Sequence, residues 1–117
     1  MTHKHVLNIA LTAAKDSQDP DPIRIEMATG PLKRAWHVLE PEAKFGTLEN
    51  AKEVVDLVVI HGYFHLSGTH PPPGHEVKPG KIMCLILNAQ TGMLRGRSLS
   101  DAMPLPLSRL GRVVRLR

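Results

Sequence analysis

The sequence predicts a small α+β domain in which an N-terminal helix packs on an antiparallel sheet of about four strands. Three observations lead there. Val6, Ile9, Ala10, Ala13 and Ala14 recur at helical spacing. Ile23, Ile25 and Met27 alternate with Arg24 and Glu26, the period-two signature of a half-buried strand. From Asp56 to Ser100 the chain reads as a strand, a proline-rich excursion, and two strands joined by a tight turn. A chain of 117 residues accommodates these elements in one core.

Taken in order, Thr2 is available as the N-cap of the helix, which spans His5 to Ser17. Asp19-Pro20-Asp21-Pro22 ends it, because a proline disfavours helix at the preceding residue and cannot donate a backbone hydrogen bond. The alternating strand follows and is closed by Thr29-Gly30-Pro31. Pro31 suits the start of a short helix through Ala35, Trp36 and Leu39, which Glu40-Pro41 stops. Glu42 to Val55 reads as an irregular connection, with at most one helical turn from Leu48.

The second strand, Asp56 to Leu66, puts Val58, Ile60, Gly62, Phe64 and Leu66 on one face. Leu57, Val59, His61, Tyr63 and His65 take the other, which turns polar toward its end and is expected to open to solvent. Ser67 to Gly80 holds four prolines and three glycines, so it is no sheet interior, and a loop of that length is a candidate functional segment. The third strand, Lys81 to Ala89, is apolar on both faces. It is expected to be central and covered on both sides, or covered on one side and buried in a homodimer. Ala89-Gln90-Thr91-Gly92 fits a type I turn with glycine in the left-handed position, and Met93 to Ser100 is the returning strand. Residues 1–106 thus form the domain, followed by a basic tail over residues 107–117.

Composition narrows the function classes. Only Trp36, Phe45, Tyr63 and Phe64 are aromatic, so the core is aliphatic. The single cysteine, Cys84, rules out an intramolecular disulfide. The longest apolar runs, Leu57 to Ile60 and Ile82 to Leu87, fall far short of the ~20 residues of a membrane-spanning helix. Asn8 and Thr12 interrupt the only leader-like run and no strongly cationic head precedes it, so a cytoplasmic chain, or an exported one whose leader has been removed, is expected. Four of the fifteen basic residues are Arg109, Arg112, Arg115 and Arg117. The eleven that remain balance eleven carboxylates, which leaves residues 1–108 formally neutral.

Candidate chemistry centres on histidine. His61 and His65 share a strand face but stand roughly 13 Å apart at ~3.3 Å per residue, too far for one metal ion. A zinc or other divalent-metal site would have to combine one of them, His65 being the candidate, with His70 or His75 from the loop folded back. Cys84 lies within the most apolar strand, where a thiol acts as a small hydrophobe rather than a nucleophile. Asp19, Asp21, Glu40 and Glu42 flank prolines and suit turn and capping work. Met27, Met83 and Met93 read as core filler. Gly62, Gly74 and Gly80 are separated by strand and proline, so they form no phosphate loop.

His61-Gly62-Tyr63-Phe64, Pro71-Pro72-Pro73-Gly74, Pro79-Gly80 and Leu87-Asn88-Ala89-Gln90-Thr91-Gly92 together resemble a group of small bacterial domains, often exported and without assigned activity. That group shows a "G-x-F" strand end, a "PPG" loop, a "P-x-G" re-entry and a "D-A-x-T-G" hairpin; here Asn88 stands in place of the aspartate. The hairpin is also loosely similar to PepSY-like domains, which implies a cystatin- or PepSY-like fold and a role in regulating or inhibiting peptidases.

The expected function is a non-enzymatic accessory module that binds a protein or peptide. Its binding face comprises His61, Tyr63 and His65 beside Arg95 and Arg97, bordered by His70, Pro72 and His75 of the Ser67–Gly80 loop. Tyr and Arg are favoured interface anchors. The alternative is a histidine-centred metal-binding protein or metal-dependent hydrolase. A second alternative, nucleic-acid binding through the arginine tail, ranks lower because the rest of the chain is neutral and lacks a pair of exposed sheet aromatics.

Overall fold

A computed structural model describes residues 1–43, 51–64 and 80–117. It has an α+β architecture in which a five-stranded antiparallel sheet carries a helix on each face. The first helix, α1, spans His3–Asp16; the Thr2 hydroxyl accepts the His5 backbone N–H at 3.1 Å and so caps it. Val6, Ala10 and Ala14 form its buried stripe, and the two alanines let the backbone approach the sheet closely. The helix closes where the Ser17 N–H bonds back to the carbonyls of Ala13 and Ala14 and Gln18 takes a φ of 72°.

Strand β1, Arg24–Pro31, runs two pairs past the expected alternation and feeds directly into α2, Leu32–Leu39. β1 pairs with β2, Val54–Phe64, in the register Ile25↔Ile60, Met27↔Val58 and Ala28↔Leu57. β2 in turn pairs with β3, Gly80–Asn88, and β3 with β4, Leu94–Ser100. The turn between them is fixed from inside: Asn88 Oδ1 accepts the backbone N–H groups of Gln90 and Thr91, both at 2.9 Å, and Gly92 takes a φ of 77°. An asparagine there performs the acceptor role open to an aspartate.

Two cores result. Ile25, Met27, Val58, Ile60, Phe64, Met83, Leu85 and Leu87 face α1. Ala28, Leu57, Val59, Ile82, Cys84 and Ile86 face the Leu32, Ala35 and Val38 side of α2. The second face of β2 is therefore not open along the strand. It is covered as far as Val59 and reaches solvent only from His61 onward. The two-sided burial expected of β3 is met within one chain, which removes the need for a dimer to cover it. Met27 and Met83 fill core as expected, whereas Met93 is 57% exposed.

The C-terminal residues are folded rather than a free tail. After a single 3-10 turn at Leu107–Arg109, Leu110 inserts into the second core at 2% exposure. Gly30 leaves it room, since a Cβ there would lie 2.6 Å from a Leu110 methyl. Val114–Arg115 then pairs as β5 with Met27 and Glu26, giving the sheet order β4-β3-β2-β1-β5. Val114 and Leu116 pack against the first core. The expectation of about four strands omits this fifth one, a two-residue strand whose partner lies at the other end of the chain.

Candidate functional site

The end of β2 breaks the ladder. His61 pairs with Ile82 and Phe64 with Gly80, so three steps on β2 oppose two on β3, a bulge at Gly62–Tyr63. Asp19 fills the gap: its Oδ2 accepts the Tyr63 N–H at 2.8 Å, and its Oδ1 accepts the Asp21 N–H at 3.1 Å. A Cβ at residue 62 would collide with Asp19 Oδ2 and come within 2.9 Å of the Phe64 ring, which is why glycine stands there. Phe64 is fully buried and anchors the bulge, so Tyr63 swings outward at 61% exposure. The Gly62-Tyr63-Phe64 sequence is thereby a device for turning one aromatic side chain out of the sheet.

Around that bulge lies a cleft of about 280 Å³ lined by Ile23, His61, Tyr63, Lys81, Ile82 and Asp101, with Gly62 at its base. Pro22 and the bond from the Ile23 N–H to the His61 carbonyl (2.7 Å) hold Ile23 at the rim, 72% exposed, before the ladder begins. Lys81 and Asp101 bring charge of each sign. His61 is already engaged: its Nε2 lies 3.2 Å from Glu26 Oε1 and 3.4 Å from Arg24 Nη2, while Arg24 Nε pairs with the same Glu26 oxygen at 3.2 Å. That trio fixes the imidazole at the cleft wall. It also means a metal ion at Nε2 would displace a guanidinium.

A larger hollow of about 360 Å³ lies between the end of α2 and the chain after β4, bounded by Leu39, Glu40, Ser98, Ala102, Met103 and Pro104. Glu40 is the single ionisable group among its lining residues, so the smaller cleft carries the richer chemistry. Cys84 lies in the second core, 3.6 Å from the Met103 sulfur, and burial pushes its thiol up to about 11. A thiol so protonated at neutral pH is no nucleophile.

The structure brings together His61 and Tyr63 but not Arg95 and Arg97. β3 separates β2 from β4, and the register places Arg97 opposite Leu85 and Val58, on the α1 face, away from His61. Arg95 sits in a second bulge and binds Glu53 in a bidentate pair, at 2.7 and 2.9 Å, which holds the Glu53 carboxyl below its usual range. The expected neighbourhood required β2 and β4 to be adjacent; the hairpin instead gives β4 one edge of β3, and β2 takes the other. His65, His70, Pro72 and His75 lie outside the described residues, as do most of the Ser67–Gly80 loop and the turn from Leu48. Among the described residues, no group of three or more His, Cys, Asp and Glu has metal-binding geometry. Asp19 does the turn work expected of it, whereas Glu40 closes α2 through its backbone N–H rather than its carboxylate.

Ile23, Lys81 and Asp101 are the cleft residues that sequence reasoning missed. Ile23 continues the period-two pattern of β1, and its place one residue before the ladder is set by Pro22 and the bond to His61. No protein-family model matches the chain, no curated protein matches its sequence, and no solved structure matches its fold.

Proposed function

We propose that this chain is a non-enzymatic binding module that takes a short protein or peptide segment in the cleft beside His61 and Tyr63. One observation carries the reading: the two most exposed large apolar side chains among the described residues, Ile23 and Tyr63, flank a single cleft. Large apolar groups held out of a core by a built bulge suit docking. Full burial of one such side chain contributes about 1.5–3 kcal/mol. His61, Lys81 and Asp101 supply the polar rim that orients a ligand. Two anchors of that size contribute about 3–6 kcal/mol before the cost of association, so stable binding calls for further contacts at the polar rim. The loose resemblance of the hairpin to PepSY-like regulators of peptidases supports the same class of activity. The basic C-terminal strand does not enter this cleft.

A random peptide library displayed on phage tests the reading when panned against the intact protein. Enriched sequences are expected to carry an apolar anchor and to bind Tyr63→Ala roughly tenfold or more weakly than wild type. No enrichment, or peptides that bind Tyr63→Ala equally well, overturns it. Stoichiometric zinc in the purified protein, lost in His65→Ala, would establish the histidine-centred alternative instead.

A further inference from the structure

The positive charge of this chain is concentrated in the segment that β5 fixes. Leu110 is buried, Arg34 of α2 donates from Nη1 to the Leu110 carbonyl at 3.5 Å, and β5 is paired with β1, so the segment that carries Arg109, Arg112 and Arg115 is tied to the fold at Leu110 and again at β5. Arg34, Arg109, Arg112 and Arg115 are all exposed. Arg115 lies directly opposite Glu26 in the ladder and so shares its face of the sheet.

The nearby carboxylates are occupied. Glu26 is shared by Arg24 and His61, Asp21 is bonded by Arg117, and Asp56 is buried and accepts the Thr29 hydroxyl at 2.6 Å. None of Arg34, Arg109, Arg112 and Arg115 forms an ion pair among the described residues. Arg115 spends its Nε on the Arg117 carbonyl and keeps its terminal nitrogens for another acceptor.

We propose that this β5 edge is a second interaction surface and that it binds the phosphate backbone of a nucleic acid without reading sequence. The surface draws on Arg115 of β5, Arg109 and Arg112 of the segment that leads into it, and Arg34, which is bonded to that segment at Leu110; each guanidinium is suited to bidentate contact with phosphate. Exposed stacking aromatics are missing from its described residues: Trp36 packs against the second core, and Tyr63 belongs to the cleft. That combination favours backbone over base recognition. An acidic peptide would also meet cations here, but the exposed large apolar side chain of this segment, Val113, is 37% exposed against 72% and 61% for Ile23 and Tyr63, a far smaller anchor.

The test is fluorescence anisotropy with a labelled single-stranded oligonucleotide of mixed sequence and with the corresponding duplex, across a salt series, using the full chain. Binding is expected to weaken linearly in log K against log salt, with a slope of about −2 to −4 for three to four phosphate contacts. Each of Arg109→Gln, Arg112→Gln and Arg115→Gln should reduce that slope by about 0.7–0.9, and the triple variant should lose binding. Arg97→Gln, on the far side of the sheet, should leave it unchanged. An unaltered melting temperature in the Arg109 and Arg112 variants confirms that the fold is intact. Absence of salt-dependent binding at low ionic strength overturns the proposal, as does binding that survives the triple substitution. Capture on phosphatidylserine vesicles with no oligonucleotide binding also overturns it, in favour of a membrane surface. Each outcome is independent of whether the cleft binds a peptide.

Discussion

Replacing Leu110 with alanine tests whether the last residues of the chain belong to the fold. Leu110 is 2% exposed and shares the second core with Ala28, Leu32, Ala35 and Leu57, in the space that Gly30 leaves open. Truncating a buried leucine costs about 2–5 kcal/mol, through lost transfer energy and the cavity left behind. The 3-10 turn that carries Leu110 lies near the surface and can settle inward, so the lower half of that range applies, about 2–3 kcal/mol. For a domain of this size each kcal/mol lowers Tm by roughly 3–6 °C, which gives a fall on the order of 10 °C. Urea denaturation followed by far-ultraviolet circular dichroism measures the free energy, and a thermal scan measures the shift. Val113→Ala serves as the control, because that side chain is 37% exposed and its loss should change stability by no more than about 0.5 kcal/mol. If Leu110→Ala matches the control, the C-terminal segment is a loosely attached tail, and the account of its arginines as tied to the fold fails with it.

Gly62→Ala should destabilise by about 1–3 kcal/mol, since its methyl displaces the Asp19 carboxylate and leaves the Tyr63 N–H without its acceptor; chemical denaturation reads the loss, and a neutral result would refute the clamp. Asn88→Ala removes the acceptor for two turn N–H groups and should cost about 1 kcal/mol in chemical denaturation, whereas Asn88→Asp should recover only part of that loss, because its carboxylate keeps the turn acceptor but loses the Asn88 hydrogen bond to Glu53 and sets like charge beside it. The Cys84 thiol ionises near pH 9.0 when unfolded and only near about 11 in the fold. Its protonated form is thus favoured by folding, and the associated stability, complete below pH 9, drains away as the pH rises toward 11. The wild type should consequently lose on the order of 2–3 kcal/mol more than Cys84→Ala across that interval, and parallel pH–stability curves would contradict this. Iodoacetamide should likewise leave Cys84 unmodified in the native protein at pH 8 and label it fully in denaturant.

Local pattern carried much of this fold. Thr2 followed by Val6, Ala10 and Ala14 specifies a capped amphipathic helix from short-range terms alone, and Asn88 to Gly92 specifies its own turn. What was not legible depends on partners distant in sequence. Leu57 and Val59 announce a second buried face, but the polar His61 and Tyr63 that follow them on that face suggest exposure along its whole length; α2 and Leu110, which cover it, come from opposite ends of the chain. β5 has two residues, too few for any periodicity, and its arginines make the segment read as solvated. The site followed the same division. His61 and Tyr63 stand out from strand alternation, while Ile23, Lys81 and Asp101 reach the cleft from three other segments. Arg95 and Arg97 were drawn to the wrong neighbourhood because β3 has two edges and the sequence does not say which strand takes which.

The most direct measurement of the central claim is a titration of ¹⁵N-labelled protein with a peptide enriched from the displayed library, followed by two-dimensional NMR. The largest amide shifts should fall on Ile23, His61, Tyr63, Lys81 and Asp101, with residues of β4 and the outer face of α1 unmoved. Shifts confined to β4 or α1, with the cleft residues unchanged, would contradict it.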